Sequence, residues 1–233
     1  GIGSSGSLTE IMVTQSWMMR SPDAVAPSLT TDALARIARI DGIRMVVPLV
    51  RLQYNYGIRV EPYYGYGDIL GIDPRYMPYM GFQVTKGTLN ISENRFIAGA
   101  MIETSFFDPE ATEYMPITLD LLEQPVEVQI GLADGGVQTQ LVQGSGVFSG
   151  STNFDYTLFL PIEQVIEMNI MSGVASGDEI VYDMILVEAE SRETTSAVIE
   201  EIRALGYMTS GAGDYVNQLN SFFSGMRMIL GGI

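Results

Sequence analysis

The chain has 233 residues, 46% of them hydrophobic, and carries 12 Lys and Arg against 28 Asp and Glu, a formal net charge of −16. Its 12 Tyr, 9 Phe and 14 Met and its mean hydropathy of +0.18 exclude an acidic disordered tail, so the chain must fold around a core. The acidic balance opposes binding to nucleic acid, and the absence of cysteine and histidine excludes disulfides, thiol nucleophiles and every histidine-based triad.

The beginning of the chain has the pattern of strand, helix, glycine and strand. Short apolar runs rich in β-branched residues predict the strands, and apolar residues at helical spacing predict the helix. In chain order the predicted elements are a strand at 8–15, a loop at 16–28, a helix capped by Thr30 or Thr31 and ended by Gly42, and a strand at 43–52 that is interrupted at Pro48.

The middle of the chain, residues 59–147, consists of short β-like runs separated by turn residues. Asp134 and Gly135 predict a hairpin between the runs at 126–132 and 137–142. A further strand then leads into a helix that begins near Pro161 and extends to about residue 171. We therefore expect a mostly β lobe in this region.

A second strand, helix, glycine and strand follows near the other end. Its elements are a strand at 180–189, a helix capped by Ser191 and ended by Gly206, and a strand at 207–209. Because neither helix can bury its apolar face alone, we expect both to pack on a shared sheet in one α+β lobe.

The predicted fold is thus α+β, with a lobe of two βαβ-type halves and a β-rich lobe inserted between them. We assign residues 1–66 and 173–213 to the α+β lobe and residues 67–172 to the inserted β-rich, acidic lobe. Residues 214–233 have apolar side chains at helical spacing and predict a C-terminal helix that leads toward a transmembrane segment. A buried terminal helix is the alternative.

The net charge is concentrated between residues 101 and 191, which include 16 acids and no Lys or Arg. Asp108, Glu110 and Glu113 form the tightest acidic cluster, but they lack the glycine turn and alternating carboxylates of a calcium loop, so no metal is predicted. The segment is either a solvated surface or a surface that binds cations or a basic partner, with this cluster as the candidate site.

Two other groups of residues are candidates for function. The first is a group of five tyrosines, Tyr54, Tyr56, Tyr63, Tyr64 and Tyr66. They either stack against a partner or ligand at an interface or lie exposed at the rim of a β lobe. The glycine sets at 65, 67, 71 and at 144, 146, 150 are similar to a dinucleotide motif with one residue too many. Because neither set opens a helix after a strand, we interpret them as loop glycines and predict no cofactor.

Several segments resemble one family in order and spacing. Residues 41–48, Asp-Gly-Ile-Arg-Met-Val-Val-Pro, resemble the segment after the first helix in the extracytoplasmic core domain of MacB/FtsX-like ABC transporter permeases. Residues 69–74, Ile-Leu-Gly-Ile-Asp-Pro, and the glycine-bounded segment 81–87 are similar to the segments that follow in that domain. Residues 159–161 and 206–207 also match, whereas 114–117 lacks a glycine that many relatives have.

The resemblance implies a porter-like α+β lobe with an inserted, sabre-like β-rich lobe, placed between the first two membrane helices of a four-helix permease. The expected partners are a cytoplasmic ATP-binding subunit and a second permease copy, with an extracytoplasmic adaptor as a further candidate. The expected role is non-catalytic mechanotransmission, in an extracellular or periplasmic part of a cell-membrane protein. A free-standing secreted binding module for a cationic ligand or protein partner is the alternative, and a carboxylate-only glycosidase is a third possibility.

Overall fold

The computed structural model describes residues 8–16, 26–53, 55–150 and 153–211. The predicted helix at 214–233 and Tyr54 lie outside these ranges. The described residues group into two compact units. The terminal unit comprises the described residues up to Pro48 and from Val181, and the inserted unit is Leu49–Ile180.

The terminal unit contains the following elements: β1 (Glu10–Gln15), β2 (Leu29–Thr30), α1 (Thr31–Ile37), the beginning of β3 (Ile43–Arg51), β12 (Val181–Tyr182), β13 (Met184–Ala189), α3 (Arg192–Ala204) and β14 (Tyr207–Gly211). The inserted unit contains the end of β3 and the following elements: β4 (Tyr56–Val60), β5 (Tyr63–Gly65), β6 (Asp68–Ile72), β7 (Gln83–Gly87), β8 (Arg95–Gly99), β9 (Val126–Gly131), β10 (Val137–Ser149), β11 (Thr157–Pro161) and α2 (Ile162–Met171). Short 3-10 helices lie at Pro74–Tyr79 and Ala100–Ile102.

The terminal unit is built around β1. This strand pairs antiparallel with β13, with Ile11 opposite Val187, and antiparallel with β14, with Val13 opposite Thr209. Strands β13 and β14 are therefore parallel to each other, and α3 connects them across β1 as in a split βαβ unit. The apolar faces of α1 and α3 join the same buried cluster as this sheet, which includes Ile37, Val198 and Ile202. The predicted α+β fold is confirmed.

The N-terminal caps of α1 and α3 follow the sequence prediction, whereas α1 ends at Ile37 and not at Gly42 as predicted. After Ala38 the N–H groups of Arg39 and Ile40 bond to carbonyls three residues earlier, so the α-helical hydrogen bonding stops before the glycine. The Thr30 side chain accepts a hydrogen bond from the Ala33 N–H at 3.3 Å at the start of α1. Ser191 and Thr194 form a reciprocal capping box at the start of α3, with N–H to hydroxyl distances of 3.3 and 3.2 Å. Gly206 ends α3 with a φ of +97°, a conformation that favours glycine.

The inserted unit is a mixed sheet in which the 13-residue strand β10 has the most partners. Its first half pairs antiparallel with β9, and its second half pairs parallel with β8 and antiparallel with β7. Strand β9 also pairs with β4, and β4 pairs with β5. The predicted hairpin at Asp134 and Gly135 joins β9 to β10, and α2 begins directly after β11 at Pro161 as predicted.

The structure corrects the prediction that Pro48 interrupts the strand at 43–52. Strand β3 runs through Pro48 without a break, from Ile43 to Arg51. The fixed φ of proline is compatible with an extended backbone. Pro48 therefore removes one hydrogen-bond donor from the strand but does not end it. The chain passes from the terminal unit to the inserted unit within this strand, between Pro48 and Leu49.

The boundaries of the compact units differ from the residue ranges assigned from sequence. The sequence places residues up to 66 in the α+β lobe, whereas β4 pairs with β9 and β5 pairs with β4, so both strands lie in the inserted unit. The inserted unit also continues beyond residue 172 to Ile180. The assignment of the chain to an α+β lobe and an inserted β-rich, acidic lobe stays a prediction.

The interpretation of the two glycine sets as loop glycines is wrong for Gly65, Gly71, Gly144 and Gly146, which lie in strands. A Cβ atom on Gly71 would lie 2.8 Å from Cα of Ile162 and 2.9 Å from Cβ of Val165. Gly71 is therefore required because α2 packs directly on β6. The alternation of apolar residues could not reveal this contact, since it joins parts of the chain that are distant in sequence.

We predict that Gly71→Ala lowers the free energy of unfolding by about 1–3 kcal/mol, because its Cβ atom would overlap the backbone of α2. Gly57→Ala is the matched control in β4, where the nearest atom to a Cβ is the Gln129 side chain at 3.7 Å, an ordinary contact. Urea denaturation of the whole chain measures both effects. Equal effects of the two substitutions would contradict the close approach of α2 to β6.

Candidate functional site

The candidate site begins where β5 meets an irregular segment of the inserted unit. The Tyr64 N–H donates to the Phe107 carbonyl at 3.0 Å, and the Phe107 N–H donates to the Tyr64 carbonyl at 2.8 Å. The Ile117 N–H donates to the Phe106 carbonyl at 2.7 Å. These bonds fix both ends of the segment between them, residues 108–116, which we call the acidic loop.

Two adjacent phenylalanines have opposite environments at the start of this loop. Phe106 is fully buried, and its ring lies directly at Gly65, where a Cβ atom would be 2.8 Å from the ring. Because successive side chains of extended backbone point to opposite faces, the ring of Phe107 is only half-buried. Phe106 therefore anchors the loop and leaves Phe107 at the surface.

Phe107 and three aromatic side chains around it, Tyr64, Tyr66 and Tyr114, form a cluster that we call the aromatic patch. Tyr66 stacks on Phe107, with ring centroids 5.0 Å apart and planes 15° from parallel. Tyr114 lies 5.9 Å from Phe107 and 6.3 Å from Tyr66, and Tyr64 lies 6.5 Å from Phe107. These separations are within the range in which aromatic rings attract one another.

The aromatic patch is open to solvent. Tyr66 is 49% exposed and Tyr114 is 62% exposed, and Met115, the next residue along the chain, is 69% exposed. Partial burial and the neighbouring Tyr114 hydroxyl raise the pKa of Tyr66, so its hydroxyl is neutral at pH 7. Large exposed aromatic groups on one surface are typical of binding sites for proteins or ligands.

The carboxylates of the acidic loop lie beside this patch in sequence and form no ion pair with any described residue. Asp108 accepts a hydrogen bond from the Glu110 N–H at 2.9 Å, and Glu110 and Glu113 are exposed. Other acids of the inserted unit do have cationic partners, in the pairs Arg51–Asp68, Arg59–Glu61, Arg59–Glu127, Arg75–Asp73, Lys86–Glu103 and Lys86–Asp120. The inserted unit has 17 acids and 5 cations, a net charge of −12.

Lys86, the only lysine in the chain, connects the two segments that flank the acidic loop. Its Nζ atom lies 2.8 Å from Oε1 of Glu103, before the loop, and 3.1 Å from Oδ2 of Asp120, after it. Hydrogen bonds to these carboxylates raise the pKa of Lys86. The Leu122 N–H and Lys86 together lower the pKa of Asp120. The same Glu103 carboxylate accepts a hydrogen bond from the Leu121 N–H at 3.4 Å. These contacts hold together the two segments that flank the acidic loop.

The structure brings together only some of the predicted tyrosines. Tyr64 and Tyr66 lie in the aromatic patch, whereas the Tyr56 hydroxyl donates to the Gly67 carbonyl at 2.9 Å within the unit. Burial, followed by the Asp68 carboxylate, raises the pKa of Tyr56. Tyr63 lies opposite Val60 in the β4–β5 hairpin, and Tyr54 lies outside the described residues.

Sequence reasoning missed Phe107 and Tyr114, the other two members of the patch. One signal was available, because these aromatic residues bound the acidic cluster on both sides in the sequence. Among the described residues, no group of three or more carboxylates is arranged to hold a metal ion. No helix in the same ranges has the length and hydropathy needed to cross a membrane.

Comparisons with solved structures show which fold this is. The chain is similar to the extracellular domain of the ABC-type transporter YknZ from Gram-positive bacteria, with a TM-score of 0.53, 17% sequence identity, and coverage of 87% of this chain and 100% of that domain. It also matches the periplasmic region of MacB from Actinobacillus actinomycetemcomitans, with a TM-score of 0.49, 15% identity and 94% coverage of both chains. A scan against protein-family models finds no match, and a search of curated proteins finds no significant one.

The chain therefore has the fold of the extracellular domain of an ABC-type transporter. The resemblance to MacB/FtsX-like permease domains that the sequence motifs suggested is confirmed for the fold.

We predict that Lys86→Gln lowers the free energy of unfolding by about 1–2 kcal/mol, because it leaves the buried Glu103 carboxylate without its cation. The effect is smaller than for a fully buried pair, since Lys86 is 41% exposed. Arg95→Gln is the matched control, as it removes one exposed charge from the same unit. No described residue forms an ion pair with Arg95.

The effect of Lys86→Gln should depend on pH. Because the pKa of Asp120 is lower in the folded chain than in the unfolded chain, its stabilising effect is present at neutral pH and is lost as the pH falls through the folded-state pKa. Denaturant titrations at pH 7 and near pH 3 should therefore show the difference between wild type and Lys86→Gln becoming smaller in acid. An effect of equal size at both pH values would contradict the ionic attachment of the loop.

Proposed function

We propose that this chain is the non-catalytic extracytoplasmic domain of an ABC transporter permease. The observation that supports the proposal is the fold shared with the YknZ extracellular domain, which this chain matches along the whole of that domain. The ordered sequence segments at 41–48, 69–74 and 81–87 support the same proposal independently of the structure.

The proposed role is to couple ATP hydrolysis by a cytoplasmic ATP-binding subunit to the handling of a substrate or partner outside the membrane. In this proposal the two ends of the domain continue into membrane helices of the full-length permease, and two permease copies form the transporter. An extracytoplasmic adaptor is a further proposed partner. The terminal unit is suited to transmit movement because its three paired strands β13, β1 and β14 and the helix α3 share one buried core.

A free-standing secreted binding module is the second candidate function. The exposed aromatic patch, beside carboxylates that form no ion pair with any described residue, supports it as a candidate, because a surface of this kind can bind a partner without the rest of a transporter. The two candidates differ in whether the domain is attached to a membrane.

The first test determines on which side of the membrane the domain lies. The chain has no cysteine, so Thr139→Cys introduces one thiol into it, at an exposed position of β10. In intact cells that produce the full-length protein, we expect a membrane-impermeant maleimide to label this variant above the background of the unsubstituted protein. Ala98→Cys, at a fully buried position, is the matched control and should not be labelled.

Labelling of Thr139→Cys only after the membrane is permeabilised would contradict an extracytoplasmic location. Recovery of the labelled chain from the culture medium, and not from the membrane, would support the secreted module instead.

The second test measures coupling. A spin label on Thr139→Cys places one probe in each permease copy, so a dimer in proteoliposomes should give a defined distance between two probes. We expect that distance to change when ATP is added together with the ATP-binding subunit, because the proposed domain moves with the membrane helices. A distance that is the same with and without ATP would contradict coupling, and the absence of any interprobe distance would contradict the dimer.

A further inference from the structure

We propose that the aromatic patch and the acidic loop together form a docking surface for an arginine-bearing segment of a protein partner. This inference goes beyond the proposed function, since it concerns what binds to the inserted unit and does not require coupling to ATP hydrolysis.

The apolar part of the surface has the composition of a binding hot spot. Tyr66 and Phe107 stack on each other, and Tyr114 contacts both, so the three rings present a preformed apolar area instead of separate mobile side chains. Tyrosine, phenylalanine and methionine are enriched at protein interfaces. Tyrosine in particular buries a large area at low cost in side-chain entropy. The core of the unit does not need these side chains, since the neighbouring Phe106 is fully buried whereas Tyr66 and Tyr114 are exposed.

Charge selects the kind of partner. Asp108, Glu110 and Glu113 have no cationic partner among the described residues, and the unit that carries them has a net charge of −12. A second copy of this chain would bring the same charge to the contact, so like-charge repulsion opposes self-association here. A basic segment would gain attraction from all three carboxylates.

The geometry favours arginine over lysine. Inside the molecule, the guanidinium carbon of Arg59 lies 5.6 Å from the ring centroid of Tyr64, so one member of the patch already contacts a guanidinium group. A planar guanidinium can stack on an aromatic ring and also bind a carboxylate through two parallel hydrogen bonds, whereas an ammonium group acts as a strongly hydrated point charge. A surface that combines aromatic rings with carboxylates lacking an ion pair in the described part of the chain therefore distinguishes the two cations.

The first experiment compares synthetic peptides of equal length in which glycine alternates with arginine, lysine or glutamate. Calorimetric titration of the whole chain at about 20 mM and about 150 mM salt should show that the arginine peptide binds more tightly than the lysine peptide. The glutamate peptide should not bind. Equal affinity for arginine and lysine peptides would overturn the proposal and leave only general attraction of polycations.

The second experiment tests the rings. Tyr66→Ala/Tyr114→Ala should weaken binding of the arginine peptide about fivefold or more, and binding of the lysine peptide less. The matched control is Tyr79→Ala/Tyr156→Ala, which removes two tyrosines of similar exposure, 58% and 53%, from the same unit. Equal weakening by the two double variants would overturn the assignment of the site to the patch.

The third experiment tests the carboxylates. Glu110→Gln/Glu113→Gln should weaken both cationic peptides at low salt more than Asp178→Asn/Glu179→Gln, which makes the same change in net charge at exposed positions outside the loop. All four side chains are at the surface, so these variants should fold, and their unfolding curves in urea check this. If the two variants weakened binding equally, the attraction would come from the total charge of the unit and the proposal would be wrong.

Discussion

The backbone pairing of strand β10 is the constraint on which the inserted unit depends. Its first half pairs with β9, β9 pairs with β4, and β4 pairs with β5. Tyr64 of β5 then exchanges two hydrogen bonds with Phe107, so the position of the aromatic patch follows from a continuous series of strand pairings. The second half of β10 pairs with β7 and β8 and contributes Phe148, which stacks on Phe82 in the core at 4.0 Å. Strand β10 thus contributes to the core of the unit and, through its pairing partners, also determines the position of the aromatic patch.

The parts of the fold that could be predicted from sequence are those that local interactions determine. Thr30 and Ser191 cap helices because their side chains reach amide groups three residues away, and Asp134 and Gly135 form a turn within one hairpin. The parallel pairing of β8 with β10 joins residues 95–99 to residues 143–148, and no local pattern determines such a register. Local patterns do not show the role of the strand glycines for the same reason, since Gly71 packs against a helix that begins more than ninety residues later.

The candidate site could be predicted only in part, because it combines a local feature with a distant one. The acidic cluster is visible in the sequence, and so are Tyr64 and Tyr66, but nothing local shows that β5 lies beside Phe107. The distribution of charge along the sequence likewise does not show which acids have ion-pair partners. The cations that pair with Glu103, Asp120 and Glu127 come from residues 59 and 86, outside the segment that contains no Lys or Arg.

The distribution of these ion pairs separates two uses of acidic residues in the same unit. Glu103 and Asp120 pair with Lys86 and hold backbone N–H groups, so their charge stabilises the attachment of the acidic loop. Toward the described residues Glu110 and Glu113 do neither, and charges of one sign that are close in sequence repel one another in the folded chain. The loop is therefore held by the neutralised acids at its base, while the acids along it add repulsion without a compensating contact within the described fold. A cation from outside the chain would provide that contact, and Tyr114, whose exposed ring lies 6.3 Å from that of Tyr66, directly follows Glu113 in the loop.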